Sequence, residues 1–218
     1  WPDQLASGRE VEAELRRMRE LFLRWNPSTT MKCVIFEENG NRHDMQRVLG
    51  HVTLQNAVRR MGDFVLTSCA ANALQPYRQN DNGWDQGQVF FTPSQVWGMP
   101  PYYAQQMAAA HHRPLTVGCG VEGADGVLDV TATRSREAGS VVLHIANTGA
   151  EPLRVGLRVD GMGKVSQARM VSLSGDLDAV NTPEEPRRIA PVGRELPARA
   201  AQTVDIAPYS YTIVVLDE

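Results

Sequence analysis

The chain changes its grammar once, near His111–Pro114, and that break limits the fold more than any single motif does. Before it, helical and strand periodicities alternate. After it, only short strand-like runs appear, separated by turn residues. A helical pattern ends there and a proline follows, which is how a helix boundary reads in sequence. The two sides pose different packing problems: residues 1–112 call for an α/β arrangement, and residues 113–218 for a purely β one.

The first half opens with Val11, Leu15, Met18 and Phe22 on one helical face, and this helix should stop before Pro27. The run Met31–Phe36 then leads abruptly into Glu37-Glu38-Asn39-Gly40. A continuous apolar run suits a strand buried on both faces. Asp44 can cap a second helix, with Met45, Val48, Leu49 and Val52 on its apolar face. Arg59 and Arg60 suit its last turn, and Gly62 the residue beyond it. A second buried strand, Phe64–Cys69, leads into a polar loop through Asn72, Gln75 and residues 79–85. A strand at 88–91 and a helix at roughly 94–110 close the half. Strand, helix, strand is the βαβ grammar of a parallel sheet. A closed (β/α)₈ barrel takes roughly 250 residues, and only about two units fit here. The half therefore reads as a small open sheet or as the last quarter of a barrel that continues upstream.

In the second half, Val127–Thr133, Val141–Asn147, Leu153–Val159, Ser166–Leu173, Thr203–Ile206 and Tyr211–Leu216 read as strands. Asn147-Thr148-Gly149, Asp160-Gly161 and Ser174-Gly175 supply turns. Such spacing predicts an antiparallel β-sandwich. Residues 176–197, rich in Pro, Glu and Arg, read as a long surface loop.

A net charge of −3 over 218 residues argues against nucleic acid or an anionic membrane as the main partner. No apolar run approaches the roughly 20 residues of a membrane span. Cys33, Cys69 and Cys119 lie far apart, without metal-ligand spacing, and read as reduced thiols. No metal and no cofactor is implied. The chain starts at Trp1, so it is expected to be the C-terminal part of a longer protein whose localisation cannot be read from it.

Active sites of barrels and open α/β sheets lie at the C-terminal ends of the strands. Glu37 follows the first buried strand, where a carboxylate suits a nucleophile or general acid in glycoside cleavage; a strand-end charge facing water explains the same pattern. Asn72 and Gln75 follow the second strand in the same relative place; their amides could bond sugar hydroxyls, though the pattern alone favours their satisfying loop backbone. Trp84 is the better candidate for stacking on a sugar ring, Tyr102 and Tyr103 for core. His43 either lines the cleft or merely precedes the helix cap.

Val34-Ile35-Phe36-Glu37-Glu38-Asn39 resembles the nucleophile segment of family-51 α-L-arabinofuranosidases. The resemblance continues through Arg59-Arg60-Met61-Gly62-Asp63-Phe64-Val65, Ala71-Asn72-Ala73-Leu74-Gln75, Phe91-Thr92-Pro93-Ser94, Trp97-Gly98-Met99-Pro100 and Asn181-Thr182-Pro183-Glu184-Glu185-Pro186. It implies the last two or so βα units of a (β/α)₈ barrel in residues 1–112 and a β-sandwich of jelly-roll type in residues 113–218. It implies a retaining exo-glycosidase that removes α-L-arabinofuranosyl groups from arabinan- or arabinoxylan-type oligo- and polysaccharides, a homo-oligomer at full length. Glu37 takes the nucleophile position; Gln75, Asn72 and Asn39 take sugar-contacting positions, with Trp84 beside them.

Glu38 stands where relatives commonly carry Trp or Tyr, and its side chain should point opposite to that of Glu37. The family's general acid/base lies in an Asn-Glu pair on an earlier strand, and this chain has no Asn-Glu pair. Retaining chemistry needs two carboxyl groups about 5–5.5 Å apart. The chain is thus expected to be inactive alone and to require its missing N-terminal barrel segment or a partner chain. Two alternatives are a carbohydrate-binding or scaffolding sandwich module, and a barrel glycosidase of other sugar specificity. Residues 113–218 hold no Trp or Phe, which counts against the first.

Overall fold

The computed structural model describes residues 7–79, 83, 85–124, 126–137 and 139–218. Helix α1 (Ser7–Trp25) leads to strand β1 (Cys33–Glu38), helix α2 (Met45–Arg60) and strand β2 (Val65–Ala70). Strands β1 and β2 pair in parallel, with α2 as the crossover. Local chemistry sets the ends of α2 as the sequence predicts. The Asp44 carboxylate accepts from Arg47 N at 3.1 Å, and Gly62 takes φ +59° just beyond the helix.

Met45, Val48, Leu49 and Val52 are fully buried, yet Arg47, His51 and Asn56 of the same helix are buried as well. The reason is that α2 is covered on several sides. It packs against α1, against β2, and against the sandwich strands described below. At the α1 crossing a side chain on Gly8 would meet the Thr53 backbone at 2.3 Å, so only glycine allows that approach.

Strands β3 (Leu74–Pro76), β4 (Val89–Phe91) and β5 (Val96–Gly98) form a small separate sheet before helix α3 (Pro100–Ala110). The predicted helix at 94–110 thus begins late. Residues 96–98 pair with β4 instead, and Pro100-Pro101 open the helix, where a missing N–H costs nothing.

The second half contains β6 (Leu115–Val117), β7 (Leu128–Arg134), β8 (Ser140–Asn147), β9 (Leu153–Arg158), β10 (Gln167–Ser174), β11 (Val192–Leu196), β12 (Ala201–Ile206) and β13 (Ser210–Asp217). Six of them form an antiparallel sheet in the order β11-β10-β13-β8-β7-β6. A β12-β9 pair lies over one face, closing a core of Ile145, Leu157, Val204, Ile206, Val214 and Leu216. The opposite face carries α2 and α3: Met45, Val48 and Val52 join Tyr103, Met107, Val142, Tyr211 and Ile213 in one cluster. The two halves of the chain therefore share a core across the break in sequence grammar. The predicted loop at 176–197 is only partly a loop, because β11 adds an edge strand within it.

The β1–β2 pair departs from the expectation of burial on both faces. Cys33 and Ile35 pack on the helix side with Leu15, Phe64 and Val65. The other side is bare: Phe36 is 84% and Leu66 65% exposed. Among the described residues nothing covers it, so apolar sequence that anticipates two layers meets only one.

A buried polar cluster under α2 makes stability depend on pH. His144 is fully buried, with Nδ1 2.7 Å from the Tyr211 hydroxyl. Burial, together with the positive charge of Arg59, pushes the His144 pKa down to about 2. The folded chain therefore keeps this imidazole neutral while the unfolded chain protonates it near 6.5. A depressed histidine pKa means stability is full above the unfolded value and declines as pH falls below it. The expected loss is about 1.4 kcal/mol per pH unit below 6.5 from His144 alone. Urea unfolding between pH 7 and 5 measures it. His144→Phe should flatten the slope, and stability that rises toward pH 5 would contradict the assignment.

Candidate active site

Glu37 and Glu38 occupy the C-terminal end of β1 and meet opposite environments. The register between β1 and β2 shifts between Ile35 and Glu38, which is a bulge. Ile35 and Glu38 lie three positions apart yet both turn toward the helices; the bulge makes this possible. Glu38 is buried against α2, while its neighbour Glu37 is exposed. Across the bulge Phe36 and Glu37 both stay exposed, while Ile35 and Glu38 pack toward the helices.

Glu38 sits in a polar nest. His51 Nδ1 lies 3.2 Å from Glu38 Oε2, and both side chains are almost fully buried. Arg47 Nη2 donates to the Glu38 carbonyl at 2.8 Å. Burial opposes the Glu38 charge. The His51 contact and the positive field of Arg47 outweigh it and hold the carboxyl below its usual range. Burial likewise pushes His51 down, so it stays neutral, and lowers the Arg47 pKa to about 10. Arg47 and His51 are i and i+4 on α2, one above the other on the helix surface. Sequence reading passed over them. They lie on a different face of α2 from Met45, Val48 and Val52, where a basic pair gives no sign of burial in the sequence.

The loop after β1 and the loop after β2 are tied by amides. Gln86 is buried; its Nε2 donates to Asn39 Oδ1 at 2.9 Å and to Asn72 Oδ1 at 3.4 Å, and its Oε1 accepts from Gly40 N at 3.2 Å. Asn41 Oδ1 accepts from Asp85 N at 2.6 Å. Asn39 is exposed and Asn72, which follows a cis Ala71–Asn72 peptide bond, is half-buried. Glu37, Asn39 and Asn72 thus come from neighbouring loops and strand ends, whose backbones also meet where Ala71 N donates to the Glu38 carbonyl.

Gln75 has a different placement. It is buried on β3, its Nε2 donates to Gln79 O at 3.1 Å and Asp85 Oδ1 at 3.0 Å, and its Oε1 accepts from Gly87 N at 2.8 Å. These bonds commit its amide to the loop itself. Trp84, the stacking candidate, lies outside the described residues. His43 lies 3.1 Å from Asp85 Oδ1 and 5.0 Å from the Phe90 ring and lines a cleft whose lining does not include Glu37. Gln86, the residue that joins the two loops, was not singled out in the sequence: a glutamine in a polar stretch gives no local signal.

Residues 30–210 match the family model described as the α-L-arabinofuranosidase C-terminal domain. The chain belongs to that family. Several solved structures share its fold. It superposes on the α-L-arabinofuranosidase of Thermotoga petrophila RKU-1 with a TM-score of 0.78 at 16% identity, covering 96% of this chain and 48% of that one. For the family-51 enzyme of Xanthomonas axonopodis pv. citri the TM-score is 0.75 at 12% identity, with coverages of 98% and 46%. An arabinose-bound family-51 enzyme, MgGH51, gives 0.73 at 22% identity, with 81% and 28% covered. The chain thus spans less than half the length of these three structures. A search of curated proteins returns no match.

Proposed function

We propose that this chain forms the C-terminal part of a retaining α-L-arabinofuranosidase and that Glu37 is its nucleophile. In this reading residues 1–112 complete a (β/α)₈ barrel and residues 113–218 are its appended jelly-roll sandwich. The observation that carries it is the position of Glu37: an exposed carboxylate at the C-terminal end of a parallel strand, next to a Glu38 that is buried against the crossover helix, in a chain of this family. That is where barrel chemistry is sited.

Glu37 attacks the anomeric carbon of a terminal arabinofuranosyl group, and a second carboxyl group protonates the leaving oxygen and then activates water. Asn39 and Asn72 flank the sugar, steered by Gln86. Gln75 acts by fixing the loop that carries Gln86. The second carboxyl group belongs to the rest of the barrel, which also covers Phe36 and Leu66. The substrates are arabinofuranosyl-bearing oligo- and polysaccharides, and the full-length enzyme is a homo-oligomer.

The experiment compares the 218-residue chain with an enzyme in which the preceding barrel units are joined to it. On 4-nitrophenyl α-L-arabinofuranoside the joined enzyme is expected to turn over, and the chain alone is not. Efficient hydrolysis by the chain alone would overturn the division of the two carboxylates between this chain and the rest of the barrel.

A further inference from the structure

A cleft of about 280 Å³ opens between the loop after β1, the loop after β3 and residues 180–182 of the sandwich half. Three aromatic rings build one side of it. Tyr77 stands edge-on to Trp97 with centroids 5.3 Å apart, and Phe90 lies 6.2 Å from Trp97. Planar polar groups stand around them. His43 and Asp85 form a pair at 3.1 Å, and the Arg78 guanidinium lies 5.1 Å over the Tyr77 ring. Trp97 is only 4% exposed, and its indole N–H has no acceptor among the described residues. A buried donor without a partner is uncommon and calls for an explanation.

The lining selects a class of ligand. One carboxylate and one guanidinium roughly cancel, so the cleft favours neither an anion nor a cation. A sugar ring offers an apolar C–H face for an aromatic ring and a rim of hydroxyls, each both donor and acceptor. Asp85 accepts, Arg78 and the Trp97 indole donate, and His43 does either. The volume holds about nine waters at ~30 Å³ each, which is the room one pentose or hexose takes with its hydroxyls. His43 lies on the loop that follows Glu37, and Glu37 and Glu38 are not among the residues that line the cleft.

We propose that this cleft is a saccharide-binding site for one neutral sugar unit of the glycan. The identity of that glycan rests on the arabinofuranosidase reading; the binding itself does not.

The test titrates α-1,5-linked L-arabinotriose and, separately, xylotriose into the chain, by calorimetry and tryptophan fluorescence. Saturable binding in the millimolar range is expected for at least one of them. Tyr77→Ala and Arg78→Gly should each weaken it about tenfold. Arg78 has φ +65°, which glycine adopts freely, so that variant keeps the backbone. Trp97→Phe keeps an aromatic ring, deletes the N–H and should weaken binding severalfold. Absence of saturable binding to both sugars overturns the proposal. So does binding indifferent to Tyr77→Ala and Arg78→Gly. Activity retained by Glu37→Gln in the joined enzyme would instead sink the nucleophile assignment and leave the cleft standing.

Discussion

Glu37→Gln in the joined enzyme is expected to lower kcat on the order of 10⁴-fold or more, because members of a catalytic unit fail together when one is removed. The amide keeps the shape and hydrogen-bonding reach of the carboxylate but cannot form the glycosyl ester. KM should change little by comparison, since a neutral isostere leaves most sugar contacts in place. Glu38→Gln serves as the contrast. Glu38 faces α2, paired with His51 and overlaid by the Arg47 field, so its amide should leave kcat within about tenfold while lowering stability. If Glu38→Gln were the variant that abolished turnover, the roles of the two carboxylates would have to be exchanged.

Glu38→Ala should be among the most destabilising single substitutions in the chain, about 3–5 kcal/mol. The alanine removes the countercharge of Arg47, whose guanidinium is buried and whose Nε has no partner among the described residues. It also leaves the buried His51 imidazole without its carboxylate. A buried ion pair is not by itself strong evidence of net stabilisation. The expected cost comes from stranding the survivor. Hence the double variant Glu38→Leu/Arg47→Met should be less destabilised than the sum of its singles. Chemical denaturation of the four proteins measures this, and a Glu38→Ala cost within about 1 kcal/mol would show that the nest opens to water. The same nest adds to acid sensitivity. A carboxyl held low stabilises the fold above its unfolded pKa, and that contribution disappears as pH falls through the folded value.

What sequence could and could not show follows from how local each signal was. Asp44 and Gly62 bracket α2 by chemistry within one turn, and both act as read. Strands β7, β8 and β13 alternate or run apolar strongly enough to be seen, and they form the centre of the six-stranded sheet. β11 was hidden in a Pro- and Arg-rich stretch because it is an exposed edge strand whose order comes from pairing with β10, not from its own pattern. β5 was absorbed into a predicted helix for the same reason: its partner β4 decides it.

At the site, Glu37 was legible as an apolar run ending in acid, and alternation foretold that Glu38 points the other way. What alternation could not foretell is the bulge that turns Glu38 to the same side as Ile35, or the nest of His51 and Arg47 waiting there. Gln75 shows the converse case. A motif supplied a sugar contact, while the fold gives its amide three loop partners and makes Gln86 the residue that links Asn39 to Asn72.

The most direct test of the central claim is to trap the covalent intermediate. A slowly hydrolysed 2-fluoro-arabinofuranosyl donor with a good leaving group is incubated with the joined enzyme, which is then digested and mapped by mass spectrometry. The account predicts one glycosyl group per active site, on the carboxylate of Glu37. A label on Glu38, or on a peptide outside this chain, would contradict it.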